Sequence, residues 1–239
     1  MNHIIFRRFF YFVVIALLSF RAVAETPNLV ALELPGLTDN KQQGAYANVY
    51  NALQQEGLIK SWKAAPVRRA HQFFFQKKAA CIAPASLDLL KEYGKDVALF
   101  APAQPFNAMK GYLFEAPNRR KNPAELPLLG VVGLGFLHGV DQTKYRLIDL
   151  KSYSNLLDLL GKSRLPLAYI NYPDVNYFPQ SKEIIADFKG TITLKWAGID
   201  GVLCWKEYAE DVAKIGTALN RYRKDQTLRD MLGEYFVGD

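Results

Sequence analysis

The sequence predicts an α/β protein built as two lobes, each a sheet flanked by helices, with a cleft between them. Three observations lead there. The segment 66–84 reads as a short helix entering a strand: Val67, Ala70 and Phe74 recur at helical spacing, and 79–83 is an apolar run closed by Pro84, the mark of a strand buried on both faces. Strands alternate with helices in two successive blocks, which calls for crossover connections. Two extended segments, near 109–114 and 191–197, join the blocks. In open sheets of this kind ligands bind at the carboxyl ends of the strands, here around Pro84, Ala85 and Ser86.

The elements follow in order. An apolar run over 29–34, with Glu33 inside it, is broken by Pro35 and Gly36. A helix is expected over 44–55, with Tyr46, Val49, Tyr50 and Leu53 on one face and Gly57 ending it. A strand over 59–65 precedes the helix–strand unit described above. Ser86 can cap a helix over 87–93 that Gly94 stops, and 97–101 reads as another short strand. The polar, basic, proline-bearing stretch 117–127 suggests a domain boundary. The pattern then restarts with a strand over 128–132 running into Gly133-Leu-Gly135. A helix capped by Ser152 follows, with Leu156, Leu157 and Leu160 as its buried stripe and Gly161 at its end. Strands are expected over 165–170 and 191–196, with 184–188 ambiguous. After a short apolar run at 201–204, the chain turns helical from Lys206, with Tyr208, Val212, Ile215 and Leu219 at helical spacing. A second helical piece near Leu228, Met231, Leu232 and Tyr235 closes it.

Residues 1–24 read as a leader rather than as fold. Arg7 and Arg8 form a basic region, 9–20 is apolar or weakly polar, and Ala22-Val-Ala24 is a small-residue cleavage site before Glu25. The apolar run is shorter than the roughly 20 residues a spanning helix needs. The expected mature protein is therefore exported, cleaved after Ala24 and periplasmic. Removing Arg7, Arg8 and Arg21 turns 30 basic and 23 acidic residues into 27 and 23, a net charge of +4 instead of +7. That mild excess, with no basic stripe interleaved with aromatics, argues against a nucleic-acid partner.

Two cysteines, Cys81 and Cys204, exclude a metal site of several thiolates. Each lies in an apolar run, and two readings stand side by side: a disulfide in an oxidising compartment, or two buried thiols. No Gly-x-Ser-x-Gly, His-Glu-x-x-His or complete dinucleotide fingerprint is present, and no cofactor or metal is expected.

In order along the chain, the residues resemble bacterial extracellular solute-binding proteins of family 3, the type II periplasmic binding fold. The resemblance rests on Glu33-Leu-Pro35, Gly44-Ala-Tyr46, Pro66-Val-Arg-Arg69-Ala70, Ala80-Cys-Ile-Ala-Pro84 and Pro105-Phe-Asn-Ala-Met-Lys110-Gly111-Tyr112. Farther on it includes Leu159-Leu-Gly161-Lys-Ser-Arg164, Ala168-Tyr-Ile170 and Gly201-Val-Leu-Cys-Trp205-Lys. It implies a discontinuous first lobe (25–112 and 197–239), a second lobe (113–196) and two hinge crossings. It also implies a monomer that closes around a small polar solute, an amino acid or a related molecule, for an inner-membrane ABC permease. The resemblance puts the returning strand beside the third strand of the first lobe, making Cys81 and Cys204 neighbours and favouring a disulfide. One departure stands out. Amino-acid binders of the family carry an arginine just after the third strand to grip the ligand carboxylate, whereas Pro84-Ala-Ser-Leu-Asp-Leu-Leu-Lys91 has none.

The candidate ligand contacts are Glu33, Tyr46, Arg69, Ser86, Gly133, Asn171 and Asp174. Glu33 ends an apolar strand, where a charge needs a partner or a solvated cleft. Arg69 reads as an anion clamp or a helix-surface charge. Tyr46 reads as a cleft wall or, more simply, as core. Ser86 offers a hydroxyl, and Gly133 a close backbone approach. Asn171 and Asp174 follow a second-lobe strand. Trp196 and Trp205 flank the return crossing and read as packing more than as ligand stacking. The expected protein is a binder, not an enzyme. The competing readings are a dehydratase-like enzyme on the same scaffold, with Glu33 moving the proton, and a sensory or partner-binding domain without cargo.

Overall fold

A computed structural model describes residues 26–34, 36–86, 90, 94–117, 125–132, 137, 139–150, 153–172 and 188–237. The leader, Ser152, Gly133, Asp174, the 184–187 part of the ambiguous segment and most of the helix expected over 87–93 lie outside them. Among the described residues there are eight strands: β1 (Asn28–Leu32), β2 (Ser61–Ala65), β3 (Cys81–Ala85), β4 (Gln104–Glu115), β5 (Leu128–Val132), β6 (Arg146–Leu150), β7 (Leu167–Tyr172) and β8 (Thr191–Cys204). The helices are α1 (Ala45–Gln55), α2 (Val67–Phe75), α3 (Tyr153–Gly161), α4 (Ala209–Lys224) and α5 (Thr227–Leu232).

The strands form one sheet in the order β2-β1-β3-β8-β4-β7-β5-β6. Read inward from either edge, it has one plan. At one end β1 lies between β2 and β3, and at the other β5 lies between β6 and β7; all four pairings are parallel. Each trio then meets the long antiparallel pair β4 and β8. Two α/β lobes therefore share two strands.

The inner strands of the first trio, β1 from Leu29 onward and all of β3, are apolar and buried on both faces, whereas the edge strand β2 exposes Ser61 and Lys63. Leu29 and Ala31 join Tyr46, Tyr50 and Leu53 of α1 and Ile215 and Leu219 of α4 in one cluster. Val30, Leu32 and Ile82 face Ala70 and Phe74 of α2 on the other side. Here the helical spacing Val67–Ala70–Phe74 becomes packing, and Phe74 sits among Phe75, Phe100 and Trp205. In the second lobe Leu156, Leu157 and Leu160 of α3 cover Ala168 and Ile170, while Leu113, Leu129, Leu167 and Tyr169 fill the opposite face. Among the described residues no helix is long and apolar enough to cross a membrane.

Several expectations need correction. Pro84 does not close its strand: β3 runs through it to Ala85. The ladder with β8 shifts register between Ile82 and Ala85, where a missing N–H is tolerated. The strand expected over 97–101 is a 3-10 turn at Val97–Leu99. Asp96 caps it, its side chain accepting from the Ala98 N–H, and only Phe100 makes a single bridge, to Trp205. The two runs 191–196 and 201–204 are parts of one continuous strand of 14 residues. Strand β6, which no apolar pattern announced, is a half-exposed edge carrying Arg146 and Asp149.

Cys81 and Cys204 are opposed in the β3–β8 ladder and joined by a disulfide. Trp205 is packing: its ring stacks on Phe100 and its Nε1–H donates to the Phe74 carbonyl at 3.2 Å.

Candidate functional site

The register shows where the parallel strands end. The carboxyl end of β3 reaches Gly201 of β8, which in turn pairs with Pro105 of β4. From the other lobe, Tyr172 at the carboxyl end of β7 reaches Lys110 of β4. Both trios therefore aim their carboxyl ends at the same middle stretch of β4 and β8. The two ends lie five residues apart on β4, about 16 Å at the rise of an extended strand. In that interval the eight-stranded sheet narrows to two strands, Phe106–Met109 against Gly198–Asp200. The pairing register shifts both at the start of this ribbon, between Pro105 and Asn107, and just past it, between Gly111 and Tyr112. A two-stranded ribbon interrupted by bulges twists and bends more readily than the sheets it joins, so this stretch is the hinge.

Three of the sequence-derived candidates of the first lobe, Glu33, Arg69 and Ser86, lie at or shortly after the carboxyl ends of its parallel strands. Glu33 follows β1 directly, is half-buried, and its N–H donates to the Ala65 carbonyl at 2.9 Å, fixing it beside the end of β2. Arg69 is exposed in the first turn of α2, which begins after a single linking residue, Pro66. Ser86 is half-buried immediately after β3. Adjacent strand ends thus carry an acid, a hydroxyl and a guanidinium. Asn171 lies at the carboxyl end of β7, paired with Gly111. Gly133 and Asp174 belong to connections beyond the described residues.

Tyr46 is fully buried. Its ring meets Phe106 edge-on, centroids 4.9 Å apart. Its hydroxyl donates to Oδ2 of Asp200 at 2.5 Å and accepts from Nδ2 of Asn107 at 3.1 Å. The α1 N-terminus that carries it is closed by the protein itself: the Tyr46 N–H donates to the Leu37 carbonyl at 2.8 Å. Gly44 makes that approach possible. At φ +119° a Cβ would lie 2.5 Å from the same carbonyl oxygen.

Asn107 and Asp200 were not singled out by the sequence. Each is one of several polar residues in a long mixed strand, so the sequence pattern did not set them apart. They are opposed in the β4–β8 register, in the middle of the hinge ribbon. Asn107 also donates to the Tyr235 carbonyl at 2.9 Å and accepts from the Val237 N–H at 2.9 Å, tying the C-terminal segment to the ribbon. Burial pushes the Asp200 carboxyl up to about 7, against the opposing pull of the Tyr46 hydrogen bond. The Tyr46 and Tyr50 hydroxyls are held well above their ordinary range, by burial first and by Asp200 second. On α2, burial lowers the His71 imidazole to about 4, so it is neutral at physiological pH. Among the described residues no group of three His, Cys, Asp or Glu side chains could hold a metal ion.

No protein-family profile matches the chain. No curated protein matches it either. Solved structures do. The L-arginine complex of Tv2483 aligns with TM-score 0.62 at 11% identity, over 89% of this chain and 91% of that one. The ligand-binding core of GluR0 from Nostoc punctiforme, with L-glutamate, gives 0.63 at 10%, over 88% and 99%. The L-cystine solute receptor of Neisseria gonorrhoeae, unliganded and open, gives 0.52 at 16%, over 89% and 94%. At these identities the similarity establishes the architecture: the chain has the two-lobed fold of type II periplasmic binding proteins.

Proposed function

We propose that the chain is a periplasmic solute-binding protein that closes around a small polar solute, an amino acid or a close relative, and delivers it to an inner-membrane ABC permease. The supporting observation is the convergence of two parallel trios on one two-stranded ribbon, which gives a single mouth two opposing rims. In this reading the leader is cleaved after Ala24, and the mature chain acts as a monomer. Residues 25–112 with 197–239 form one lobe, and 113–196 the other. The ligand set is Glu33, Arg69 and Ser86 on the first rim and Gly133, Asn171 and Asp174 on the second, with Tyr46 bracing the mouth from behind. Closure follows from contacts the solute makes with both rims at once, which only the closed form offers. With no arginine after β3, Arg69 is the cation placed to meet an anionic group, and Glu33 meets a cationic one. The chain binds without catalysis in this reading, and the solute structures bound by its structural neighbours supply the first probes.

The test is a thermal-shift panel of L-amino acids (arginine, glutamate and cystine among them), polyamines, organic acids and sugars. A solute at a hundred times its Kd stabilises by about 2.7 kcal/mol, a rise of about 5–10 °C in Tm for a chain of this size. No shift across the whole panel would remove the support for transport binding.

A further inference from the structure

Four polar or charged residues are buried among the described ones: Thr38, His71, Asn107 and Asp200. Two of the four face each other in the hinge. This placement is costly, because a buried acid without a cation is stable only when neutral or fully hydrogen-bonded. The ladder itself does not require it, since an apolar pair would satisfy the same backbone. The pair and the ribbon around it also collect three further parts of the chain. Tyr46 reaches it from α1, the Tyr235 carbonyl and Val237 N–H from the C-terminal segment. Arg223 of α4 holds the Pro105 carbonyl at 3.2 Å, where the ribbon begins.

We propose that Asn107, Asp200 and Tyr46 are the positioning residues of lobe movement, a latch that holds the hinge ribbon at one angle while Asp200 is neutral and releases it when Asp200 ionises. The proposal rests on the two-lobed binding reading above and adds a control to it. In the neutral state the bonds among these residues need no charge: Asn107 donates to Tyr46, Tyr46 donates to Asp200, and Asn107 clamps the tail. On ionisation the carboxylate must recruit water or move outward. The route open to it is separation of β4 from β8 at residues 107 and 200, where no third strand supports them. The groups facing Asp200 do not compensate the new charge. From α1 they are the phenols Tyr46 and Tyr50, which burial keeps protonated. Asn107 of β4 is neutral. The tail brings Tyr235, with Glu234 beside it, and α4 brings Arg223, whose guanidinium engages the Pro105 carbonyl. Burial that lifts the Asp200 carboxyl to about 7 places the release near neutrality.

The experiment measures interlobe distance by electron–electron resonance on the protein without solute and, in parallel, with each solute of the panel. Spin labels go on non-natural residues at the exposed positions Gln54 and Lys162, leaving the disulfide intact. Wild type, Asp200→Asn, Asn107→Ala and Tyr46→Phe are compared from pH 5.5 to 8.5, with circular dichroism confirming the fold at each point. The wild-type distribution is expected to widen or shift with a midpoint near pH 7. Asp200→Asn is expected to lose the transition. Tyr46→Phe removes the hydrogen bond that favours the carboxylate, so its midpoint should move upward, which a merely structural role would not produce. Asn107→Ala should widen the distribution at every pH. A transition that persists in Asp200→Asn would overturn the latch while leaving the two-lobed reading intact. One narrow distance in every variant at every pH, unmoved by any solute of the panel, would overturn both.

Discussion

Cys81 and Cys204 stand opposite one another on β3 and β8, and their disulfide closes a loop across a sequence separation of 123 residues. Everything from β3 to the end of β8, including the whole second trio, lies inside that loop. Both sulfur-bearing residues are fully buried. A cross-link over so long a loop restricts the unfolded chain by about 4–5 kcal/mol in the chain-entropy picture. Cys81→Ala combined with Cys204→Ala is therefore expected to lower stability by about 2–5 kcal/mol, read as the urea midpoint. Because the bridge is buried, a reductant alone should leave the native Tm unchanged over an hour, whereas reduction in denaturant followed by refolding should give the lower value. An unchanged midpoint in the double variant would show that the ladder holds without the bridge.

Asp200 and His71 give the protein two opposed pH slopes. Asp200's native value, about 7 against 3.8, means that the folded state keeps a proton the unfolded state has lost. Its stabilisation is full below about pH 4 and disappears as pH rises to about 7. His71 is the reverse: burial lowers it from 6.5 to about 4, so its stabilisation is full above pH 6.5 and is lost as pH falls toward 4. At 1.36 kcal/mol per unit this amounts to about 4 kcal/mol for Asp200 and about 3 kcal/mol for His71. Between pH 4 and 6.5 the two nearly cancel. Single substitutions should tilt the profile in opposite directions: relative to wild type, Asp200→Asn makes stability rise with pH, and His71→Gln makes it fall. Chemical denaturation at half-unit intervals measures both, and parallel profiles in the three proteins would refute the assignment.

The legible parts of the fold were those with a local cause. The Val67–Ala70–Phe74 stripe, the Leu156–Leu157–Leu160 stripe and the apolar run of β5 each announce an element that the structure contains. What could not be read depended on partners far along the chain. Strand β8 looked like two pieces because Ala197, Gly198, Asp200 and Gly201 interrupt its apolar pattern; pairing with β4 from Thr191 to Val202, across that interruption, makes it one. Strand β6 carries charges on an edge, and Arg146, Ile148 and Asp149 are exposed. Its parallel partner β5 defines it. The strand-end positions of Glu33 and Ser86 were legible because strand ends are marked by the loss of apolar pattern. Asn107 and Asp200 were not, because a polar residue in a strand normally faces water, and only the register reveals that these two face each other.

The rim set makes a prediction of its own. Glu33 and Ser86 are half-buried at strand ends, outside the three apolar clusters. Glu33→Gln and Ser86→Ala should therefore change the stability of the solute-free protein by no more than about 0.5 kcal/mol. Each should nonetheless weaken binding of the solute found in the panel about tenfold, the loss of one or two polar contacts. Arg69→Ala should do the same for an anionic solute and leave a cationic one unaffected. Isothermal titration on the three variants decides it, and affinities equal to wild type would place the ligand elsewhere.

Gly198 offers a way to load the hinge without touching the latch. It lies in the two-stranded ribbon opposite Met109, and the ring of Trp196 packs directly over its Cα, so that a Cβ would fall inside the ring's contact distance. The backbone conformation is not the obstacle; the indole is. Gly198→Ala should therefore push the Trp196 ring outward while keeping the β4–β8 ladder. The protein has three tryptophans; Trp62 and Trp205 are buried and Trp196 is half-buried. A red shift of the emission maximum, with more efficient quenching by iodide, would consequently report Trp196 alone. If the ribbon is the hinge, the displaced ring also alters how far the lobes can approach, and solute affinity should change although Gly198 contributes no side chain to the mouth. Unshifted emission would mean that the ring has room to move within the fold. A shift without a change in affinity would separate Trp196 from closure.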